Sequence, residues 1–198
     1  MNIVFDLGGV VFRWQPDVII ASVFDDAGTR KLVKQEIIEH DDWIELDRGT
    51  ISLESAIQRG AIRTGLTEPE IERLMRAVPV FLTPIEQTVE LIRRLALTSN
   101  RLFVLSNMHV ASIAHLEEKH DIWELFDGTV ISCRINKVKP ERQIYEHLLD
   151  TYRLEPSETI FIDDMPENLD AASTVGIRTI RFLDPIQCEQ ALFEQGAL

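Results

Sequence analysis

Short apolar runs alternate with segments of helical spacing along the chain from residue 84 onward. Between the runs, apolar residues recur every three or four positions, as in residues 85–95, which is the spacing of an amphipathic helix. The runs predict strands at residues 102–106, 129–132, 159–163 and 178–182. Continuous apolar strands separated by helices are typical of a parallel sheet that is covered by helices on both faces.

The first apolar run, residues 2–6, has the same character and ends on the carboxylate of Asp6. Residues 7–9, two of which are glycines, then turn the chain before the apolar run resumes at residues 10–12. Glycines at such a turn let backbone amides approach an anion closely. With this strand included, we predict an α/β fold with a Rossmann-like parallel sheet sandwiched by helices.

Residues 15–83 break the alternation, because they show helical spacing without any strand pattern. The predicted helices cover residues 19–24, 31–38, 53–62 and 68–77. We therefore expect residues 1–14 and 84–198 to form the α/β core, and residues 15–83 to form an inserted all-helical cap. A helical subdomain beside the C-terminal edge of a parallel sheet is able to act as a lid.

Two prolines predict where core helices begin. Thr83 is suited to cap a helix, with Pro84 at the first position and Glu86 completing a capping box. Pro140 predicts the start of another core helix in the same way. Lys139 would then stand directly before that helix.

Charge and composition argue against several kinds of partner. The 198 residues carry a formal net charge of −13, and no basic stripe is present to neutralise the phosphates of a nucleic acid. No apolar run is long enough to cross a bilayer, and we expect no secretory signal. The cysteines, Cys133 and Cys188, lack metal-ligand spacing and fit a reducing compartment. We therefore expect a cytoplasmic protein without nucleic-acid or membrane partners.

Carboxylates stand at the ends of two predicted strands. Asp6 closes the first strand, and Asp163 with Asp164 closes the strand at 159–163. In a right-handed parallel sheet, all strand ends of this polarity lie along one edge, so the three carboxylates should converge. Clustered carboxylates need a neutralising cation, and oxygen ligands without nearby His or Cys favour Mg²⁺.

Groups that suit phosphate binding should reach the same edge. Another predicted strand ends on Ser106, and Asn107 follows it. Lys139 comes later in the chain, between Asn107 and Asp163. Ser106 and Lys139 are donors suited to the oxygens of a phosphoryl group. A nucleophilic carboxylate, a metal and charge-neutralising donors together describe phosphoryl transfer. Each feature alone has an ordinary explanation, such as a turn or a helix cap, but their joint occurrence at strand ends favours a catalytic site.

These motifs, in this order, resemble those of the haloacid dehalogenase (HAD) superfamily of phosphatases. The matching segments are residues 5–10, 105–107, 139–140 and 161–164, together with Asn168. The helical insertion lies where that superfamily carries its small helical cap. Residues 48–54 look like a segment of the branch that contains the phosphatase domain of soluble epoxide hydrolase and bacterial alpha-D-glucose-1-phosphate phosphatases. The resemblance implies a HAD-like core and hydrolysis of a small phosphorylated metabolite.

The resemblance also implies which residues act as nucleophile and metal ligands. Asp6 would attack phosphorus and become an aspartyl phosphate. Mg²⁺ would be held by the Asp6 carboxylate, the backbone carbonyl of Gly8 and the Asp164 carboxylate. Asp163 would not bind the ion directly but would contact the residues that do.

The remaining motif residues are implied to handle the phosphoryl group. Ser106 and Lys139 would bind its oxygens, and Lys139 would also take part in catalysis beside the nucleophile. Asn107 would belong to the phosphate-binding group and steady the nucleophile loop. Asn168 would support the acidic pair.

Position 8 departs from the superfamily pattern, which usually places a second Asp there as general acid and base. Gly8 keeps a backbone carbonyl but supplies no proton. General acid–base catalysis is typically worth about 10²–10⁴-fold in rate. The protein is therefore slow, takes an acid from the cap, or uses a substrate with a better leaving group. An anomeric hydroxyl is more acidic than an ordinary alcohol, which favours a sugar 1-phosphate such as glucose 1-phosphate.

Several cap residues are candidates for a borrowed acid or a sugar contact, although a solvated acidic helix face explains them more simply. They are His40, Asp41, Asp42, Glu45, Asp47 and Arg48. Three aromatic residues, Trp14, Trp43 and Phe81, are candidates for stacking on a sugar ring, with packing between cap and core as the simpler alternative.

Other functions stay open at this point. A metal-independent 2-haloacid dehalogenase uses the same nucleophile without an Asp at position 8, but the acidic pair at 163–164 makes sense mainly around Mg²⁺. A catalytically weakened regulatory protein is a second alternative, against which the retention of Asp6, Ser106 and Lys139 argues. A signalling receiver domain carries similar groups, but there the acidic pair precedes the acceptor Asp in the chain.

Overall fold

A computed structural model describes the chain from Met1 to Leu198. Its strands are β1 (Asn2–Phe5), β2 (Arg101–Ser106), β3 (Gly128–Ile131), β4 (Thr159–Asp163) and β5 (Arg178–Arg181). They form one parallel sheet in the order β3-β2-β1-β4-β5. The predicted parallel α/β fold is therefore confirmed, with some strand ends shifted by one residue.

Eleven α-helices connect and cover these strands. They are α1 (Pro16–Val23), α2 (Ala27–Val33), α3 (Asp41–Arg48), α4 (Leu53–Thr64), α5 (Glu68–Phe81), α6 (Glu86–Ala96), α7 (Val110–Lys119), α8 (Ser132–Ile135), α9 (Arg142–Tyr152), α10 (Pro166–Thr174) and α11 (Pro185–Glu194). A π-helical turn, Lys34–Ile38, continues α2, and short 3₁₀ turns lie at Ile122–Leu125 and Pro156–Glu158. None of the helices combines the length and the apolar character that crossing a bilayer requires.

β1 lies at the centre of the sheet, between β2 and β4. Its register places Phe5 beside Val104 on one side and Ile162 on the other. The chain continues outward to β2 and β3 on one side of β1, and later to β4 and β5 on the other. Such a reversal of strand order opens a crevice at the carboxyl ends of the strands, where open α/β sheets bind ligands.

Successive strand residues face opposite helical layers. Ile3 and Phe5 belong to a buried cluster that includes residues of α6, α7 and α11. Val4 belongs instead to a cluster with residues of α9 and α10. Both faces of the sheet are thus covered, which is why the strands read as continuous apolar runs rather than as alternating ones.

The segment between β1 and α6 contains five helices and no strand. It has its own cluster of ten buried hydrophobic residues, to which α1, α3 and α5 contribute Ile20, Leu46 and Leu74. The predicted helix at 31–38 is divided between α2 and the π-helical turn. The division of the chain into a core and an inserted cap stays a prediction.

α3 lies outside the predicted helical ranges. It is short, and His40 stands at its N-terminus in place of the Ser, Thr, Asp or Asn that usually marks a helix start. The His40 Nδ1 atom accepts a hydrogen bond from the Asp42 N–H at 3.1 Å. The sequence therefore indicated this segment only as a possible acidic helix face, without predicting where the helix begins and ends.

The predicted start of α6 is wrong. The helix begins at Glu86, because Pro84 forms a β-bridge with Phe12 and Ile85 is still extended, with ψ of 93°. The Thr83 carbonyl accepts a hydrogen bond from the Arg13 N–H at 2.8 Å, so Thr83 is tied to the segment after β1. Tertiary contacts therefore override the local capping signal.

The predicted start of α9 is also wrong. Lys139–Pro140 is a cis peptide bond, and the helix begins only at Arg142 because Glu141 is still extended, with ψ of 131°. Two further helices, α8 and α11, lie outside the predicted ranges.

We expect Leu74→Ala to destabilise the protein by about 2–5 kcal/mol, because Leu74 is fully buried among the helices between β1 and α6. Leu97→Ala is the matched control, since Leu97 is 89% exposed and should change the free energy of unfolding by less than about 0.5 kcal/mol. Urea unfolding at equilibrium measures both values. Equal values for the two variants would contradict the placement of Leu74 in a packed core.

Candidate active site

Three carboxylates converge at the carboxyl edge of the sheet. Asp6 directly follows β1, Asp163 is the last residue of β4, and Asp164 comes next. Each contributes an oxygen to a cluster in which these atoms lie within 4.8 Å of one another. Asp6 and Asp163 are buried, and Asp164 is partly exposed. The structure therefore brings the three sequence-predicted carboxylates together.

The side chain of Lys139 lies between two of these carboxylates. Its Nζ atom is 2.8 Å from Asp6 Oδ1 and 2.6 Å from Asp163 Oδ2, and only 2% of the side chain is exposed. Burial alone would lower the pKa of Lys139, but the two carboxylates raise it above its ordinary value. Lys139 is therefore a permanently charged ammonium at the bottom of the site.

Asp6 is held in position through one of its two oxygens. Its Oδ1 atom accepts a hydrogen bond from the Leu7 N–H at 2.7 Å and forms an ion pair with Lys139 at 2.8 Å. Burial raises the pKa of Asp6 to about 7, Lys139 opposes this shift, and Asp163 adds to it. Oδ2 lacks a hydrogen bond of comparable geometry, although the Ser106 hydroxyl nearby favours the charged carboxylate. Oδ2 is thus the oxygen available to an electrophile.

Asp163 and Asp164 differ in how many hydrogen bonds their carboxylate oxygens accept from the protein. The oxygens of Asp163 accept hydrogen bonds from the Met165 N–H at 2.8 Å, from Asn168 Nδ2 at 3.1 Å to each oxygen, and from Lys139. Asp164 accepts no hydrogen bond from another residue, and burial and the neighbouring Asp163 raise its pKa. Asp163 is therefore occupied by protein donors, whereas Asp164 is free to bind a ligand.

The two glycines of the turn after β1 have different roles. Gly9 has a φ of +79°, and a Cβ atom there would lie 2.6 Å from Asp164 Oδ2, so a side chain would displace that carboxylate. At Gly8, a Cβ atom would meet only the Cβ of Trp14, at 3.9 Å. Steric crowding therefore requires glycine at position 9 but leaves room for a Cβ at position 8.

Asn107 contacts the segment that carries Lys139. Its Oδ1 atom accepts a hydrogen bond from the Lys139 N–H at 2.8 Å, and its Nδ2 atom donates to the Lys139 carbonyl at 2.9 Å. These bonds position the lysine, and none reaches the nucleophile loop at residues 6–9. Asn107 is thus linked to the nucleophile through Lys139, and its role in steadying that loop stays a prediction.

The Ser106 hydroxyl is buried at the end of β2 and makes no hydrogen bond of good geometry with the protein. A buried polar atom without a partner is costly, and such atoms are commonly satisfied by a ligand or water. The Ser106 hydroxyl is therefore available to donate a hydrogen bond to a bound ligand.

A cleft of about 250 Å³ lies against these groups, and Asp6, Gly8, Lys139 and Asp164 all line it. Much of the remaining lining is apolar. The apolar lining residues are Trp14, Trp43, Val78, Leu82, Met108 and Met165. The cleft therefore joins a charged end to a mostly apolar chamber.

Among the six cap candidates for a borrowed acid, only Asp47 lines the cleft. Asp42 is paired with two arginines of α4, and Asp41 is exposed at the start of α3. Glu45 is paired with Arg48. The aromatic candidates Trp14 and Trp43 line the cleft and lie 5.7 Å apart between ring centroids, whereas Phe81 does not reach it.

Sequence reasoning missed several lining residues. His109 is buried at the start of α7, its Nε2 atom lies 3.0 Å from Ser112 Oγ, and burial lowers its pKa to about 4. Its position two residues after Asn107 was the only available signal. Val78 and Leu82 carry no chemical signature, so their place in the lining follows only from the packing of α5.

Comparisons with known proteins agree with this arrangement. The family model of the haloacid dehalogenase-like hydrolases matches residues 3–182. A sesquiterpene phosphatase of Aspergillus oryzae is 31% identical over 183 residues, covering 92% of this chain and 90% of that protein. Bifunctional epoxide hydrolase 2 of Mus musculus is 46% identical over 55 residues, which are 28% of this chain and 10% of that protein.

A solved structure of a HAD family enzyme from Bacteroides thetaiotaomicron, in complex with magnesium and inorganic phosphate, superposes with a TM-score of 0.72. The two chains are 23% identical, and the match covers 91% of this chain and 92% of the other, so it shows a shared fold. Together with the family model and the Aspergillus relative, the architecture and the strand-end residues show that this chain belongs to the haloacid dehalogenase-like hydrolase family.

Proposed function

We propose that this protein is a Mg²⁺-dependent phosphatase that hydrolyses a small phosphorylated metabolite through an aspartyl phosphate at Asp6. The observation that carries the proposal is the Asp6 carboxylate, held by Lys139 within a cluster of three carboxylates. The relative named as a phosphatase supports the same reaction class.

In the first step, an oxygen of Asp6 bonds to phosphorus while the bond from phosphorus to the alcohol oxygen breaks. Lys139 fixes Oδ1 of Asp6, and the Ser106 hydroxyl is placed to donate to a phosphoryl oxygen. In the second step, water attacks the aspartyl phosphate, which releases inorganic phosphate and restores the carboxylate. Fixed donors and charges of this kind stabilise the charge that develops on the transferring group.

The residues present fit Mg²⁺. The site has three carboxylates but only one ammonium, so a phosphate ester would add negative charge to an already anionic cluster. Asp6, the Gly8 carbonyl and Asp164 would hold the ion. Asp163 would not bind it, because its oxygens accept hydrogen bonds from Lys139 and the Met165 N–H, and it would instead fix the position of Lys139. When bound, Mg²⁺ supplies positive charge to the phosphoryl oxygens.

We expect Asp6→Asn to abolish phosphate release while leaving the fold intact, because the amide has the size of the carboxylate but not its nucleophilicity. Phosphate release from a phosphate ester measures this, and mass spectrometry of acid-quenched wild-type protein should find a phosphoryl group on Asp6. Retained turnover in the variant would contradict the nucleophile assignment. Hydrolysis of chloroacetate without Mg²⁺, and without any phosphatase activity, would favour the dehalogenase alternative.

We expect Asp164→Asn to weaken Mg²⁺ binding by at least about tenfold, because it removes a carboxylate with no competing protein donor. Asp170→Asn is the matched control, since Asp170 is exposed on α10. Isothermal titration calorimetry with Mg²⁺ alone measures both affinities. Equal affinities for the two variants would remove Asp164 from the ligand set.

Two observations bear on the organic part of the substrate. Gly8 supplies no acid, so in the absence of another proton donor in the cleft an ester with a good leaving group is favoured, such as a sugar 1-phosphate of the glucose 1-phosphate type. The apolar lining of the cleft, which includes Trp14, Val78 and Leu82, favours a hydrophobic alcohol. The Aspergillus relative is named for a sesquiterpene substrate, which agrees with the second candidate.

A substrate panel separates these candidates. We expect kcat/KM to be highest for an isoprenoid monophosphate, because its chain buries apolar surface in the cleft. Glucose 1-phosphate should exceed glucose 6-phosphate only where no residue of the cleft replaces the acid that is missing at position 8. A preference for either glucose phosphate over the isoprenoid would contradict the hydrophobic candidate. Equal cleavage of the two glucose phosphates would contradict the leaving-group argument.

The regulatory alternative predicts no turnover of any ester in this panel, and the first active substrate would exclude it. A cytoplasmic location, with which the free thiols of Cys133 and Cys188 are consistent, stays part of the proposal.

A further inference from the structure

The site described above lacks a group that can exchange a proton with the leaving alcohol. Gly8 has no side chain, Lys139 is bound to two carboxylates, and Asp163 is saturated by protein donors. His109 lines the cleft, but burial holds its pKa at about 4 and favours the neutral ring. A proton donor therefore has to come from another part of the cleft lining.

Asp47 is a carboxylate in that lining which the nucleophile and metal site do not use. It lies in the last turn of α3, is 7% exposed, and lines the same cleft as Asp6 and Lys139. Unlike Asp42 and Glu45 on the same helix, it forms no ion pair. A buried carboxyl group without a cationic partner favours its protonated form.

The backbone around Asp47 is fastened to the α/β core. The Ser132 hydroxyl donates to the Asp47 carbonyl, and Asn136 Nδ2 donates to the Arg48 carbonyl at 3.0 Å. Gly49, with a φ of +79°, packs so closely on α8 that a Cβ atom would lie 2.8 Å from the Cys133 carbonyl oxygen. Asp47 is therefore held at a fixed place relative to the core, as a reacting group must be.

An ion pair adds to this attachment. Both terminal nitrogens of Arg48 lie 2.8 Å from the carboxylate oxygens of Glu141, two residues after Lys139. A bidentate pair of this kind fixes orientation as well as distance. The segment that positions the lysine at the nucleophile thus also anchors the residue next to Asp47.

The groups that face Asp47 leave it able to gain and lose a proton near neutral pH. Burial raises the pKa of Asp47 to about 7, and the negative charge of Asp6 adds to this shift. The His109 N–H, the Trp43 indole and the more distant Lys139 oppose it. Cys133 on α8 also faces Asp47 and is a thiol whose own pKa is raised by burial.

We propose that Asp47 is the general acid and base of this enzyme and replaces the side chain that position 8 lacks; the proposal rests on the phosphatase function proposed above. The Asp47 carboxylic acid gives its proton to the bridging oxygen as the phosphorus–oxygen bond breaks and an Asp6 oxygen bonds to phosphorus. The Asp47 carboxylate then takes a proton from water as the water oxygen bonds to phosphorus and the Asp6–phosphorus bond breaks. Asp47 thereby returns to its starting form.

The test compares leaving groups. In Asp47→Asn, kcat/KM for butyl phosphate should fall about 10²–10⁴-fold, because an alkoxide leaves slowly without a proton. For 4-nitrophenyl phosphate the fall should be much smaller, because nitrophenolate leaves unprotonated. Asp41→Asn, the same change at an exposed position of α3, should match wild type for both esters. An equal loss for both esters, or no loss for butyl phosphate, would overturn the role of Asp47.

The pH profile of the wild-type protein provides a second test of the role of Asp47 and requires no variant. kcat/KM for butyl phosphate should decline as the pH rises above about 7, because Asp47 then loses the proton that it must donate, while 4-nitrophenyl phosphate should lack this decline. The same alkaline decline for both esters would contradict the proposal. Wild-type protein that cleaves neither ester would overturn the phosphatase function itself, and this inference with it.

Discussion

The ammonium of Lys139 is the group on which the arrangement of the site depends. It lies within 2.8 Å of both Asp6 and Asp163, and all three side chains are buried. Removing one partner from a buried ion pair typically costs about 3–5 kcal/mol, because a charge is left without compensation. Lys139 therefore allows two carboxylates to stand at the end of adjacent buried strands. The position of its backbone is set by two hydrogen bonds, one donated by the Asn107 amide and one accepted by it.

The cleft combines two environments that suit the two parts of a phosphate ester. Carboxylates, an ammonium and an unpartnered hydroxyl surround the end where Asp6 lies, whereas tryptophan, methionine and aliphatic side chains form much of the rest. Interactions with the phosphoryl group fix the reaction, and the apolar lining decides which alcohols gain binding energy. Asp47 is among the lining residues of the same cleft, so the proposed proton donor belongs to the surface that a bound ester would face.

Much of the fold and of the charged site was predictable from sequence, because both depend on local patterns and on the parallel order of the strands. Asp6, Ser106, Asp163 and Lys139 stand at strand or loop ends that topology alone brings to one edge. The helix start predicted from the capping box at residues 83–86 is wrong, because the β-bridge between Phe12 and Pro84 keeps Pro84 out of the helix. Asp47 could be named only as one of six candidates, since only the packing of α3 on residues 132–136 decides which of its side chains lines the cleft, and no local pattern encodes that packing.

Residues 132–141 contact both the end of α3, which carries Asp47, and the nucleophile Asp6. Ser132, Asn136 and Glu141 hold the end of α3, while Lys139 binds the nucleophile. The distance between the nucleophile and the end of α3 is therefore set by one short stretch of chain. Substitutions elsewhere in the helices between β1 and α6 can reshape the chamber without changing this distance. An insertion or deletion within the stretch would change that distance, so we expect the length of the stretch to be kept even where the chamber is altered to suit a different alcohol.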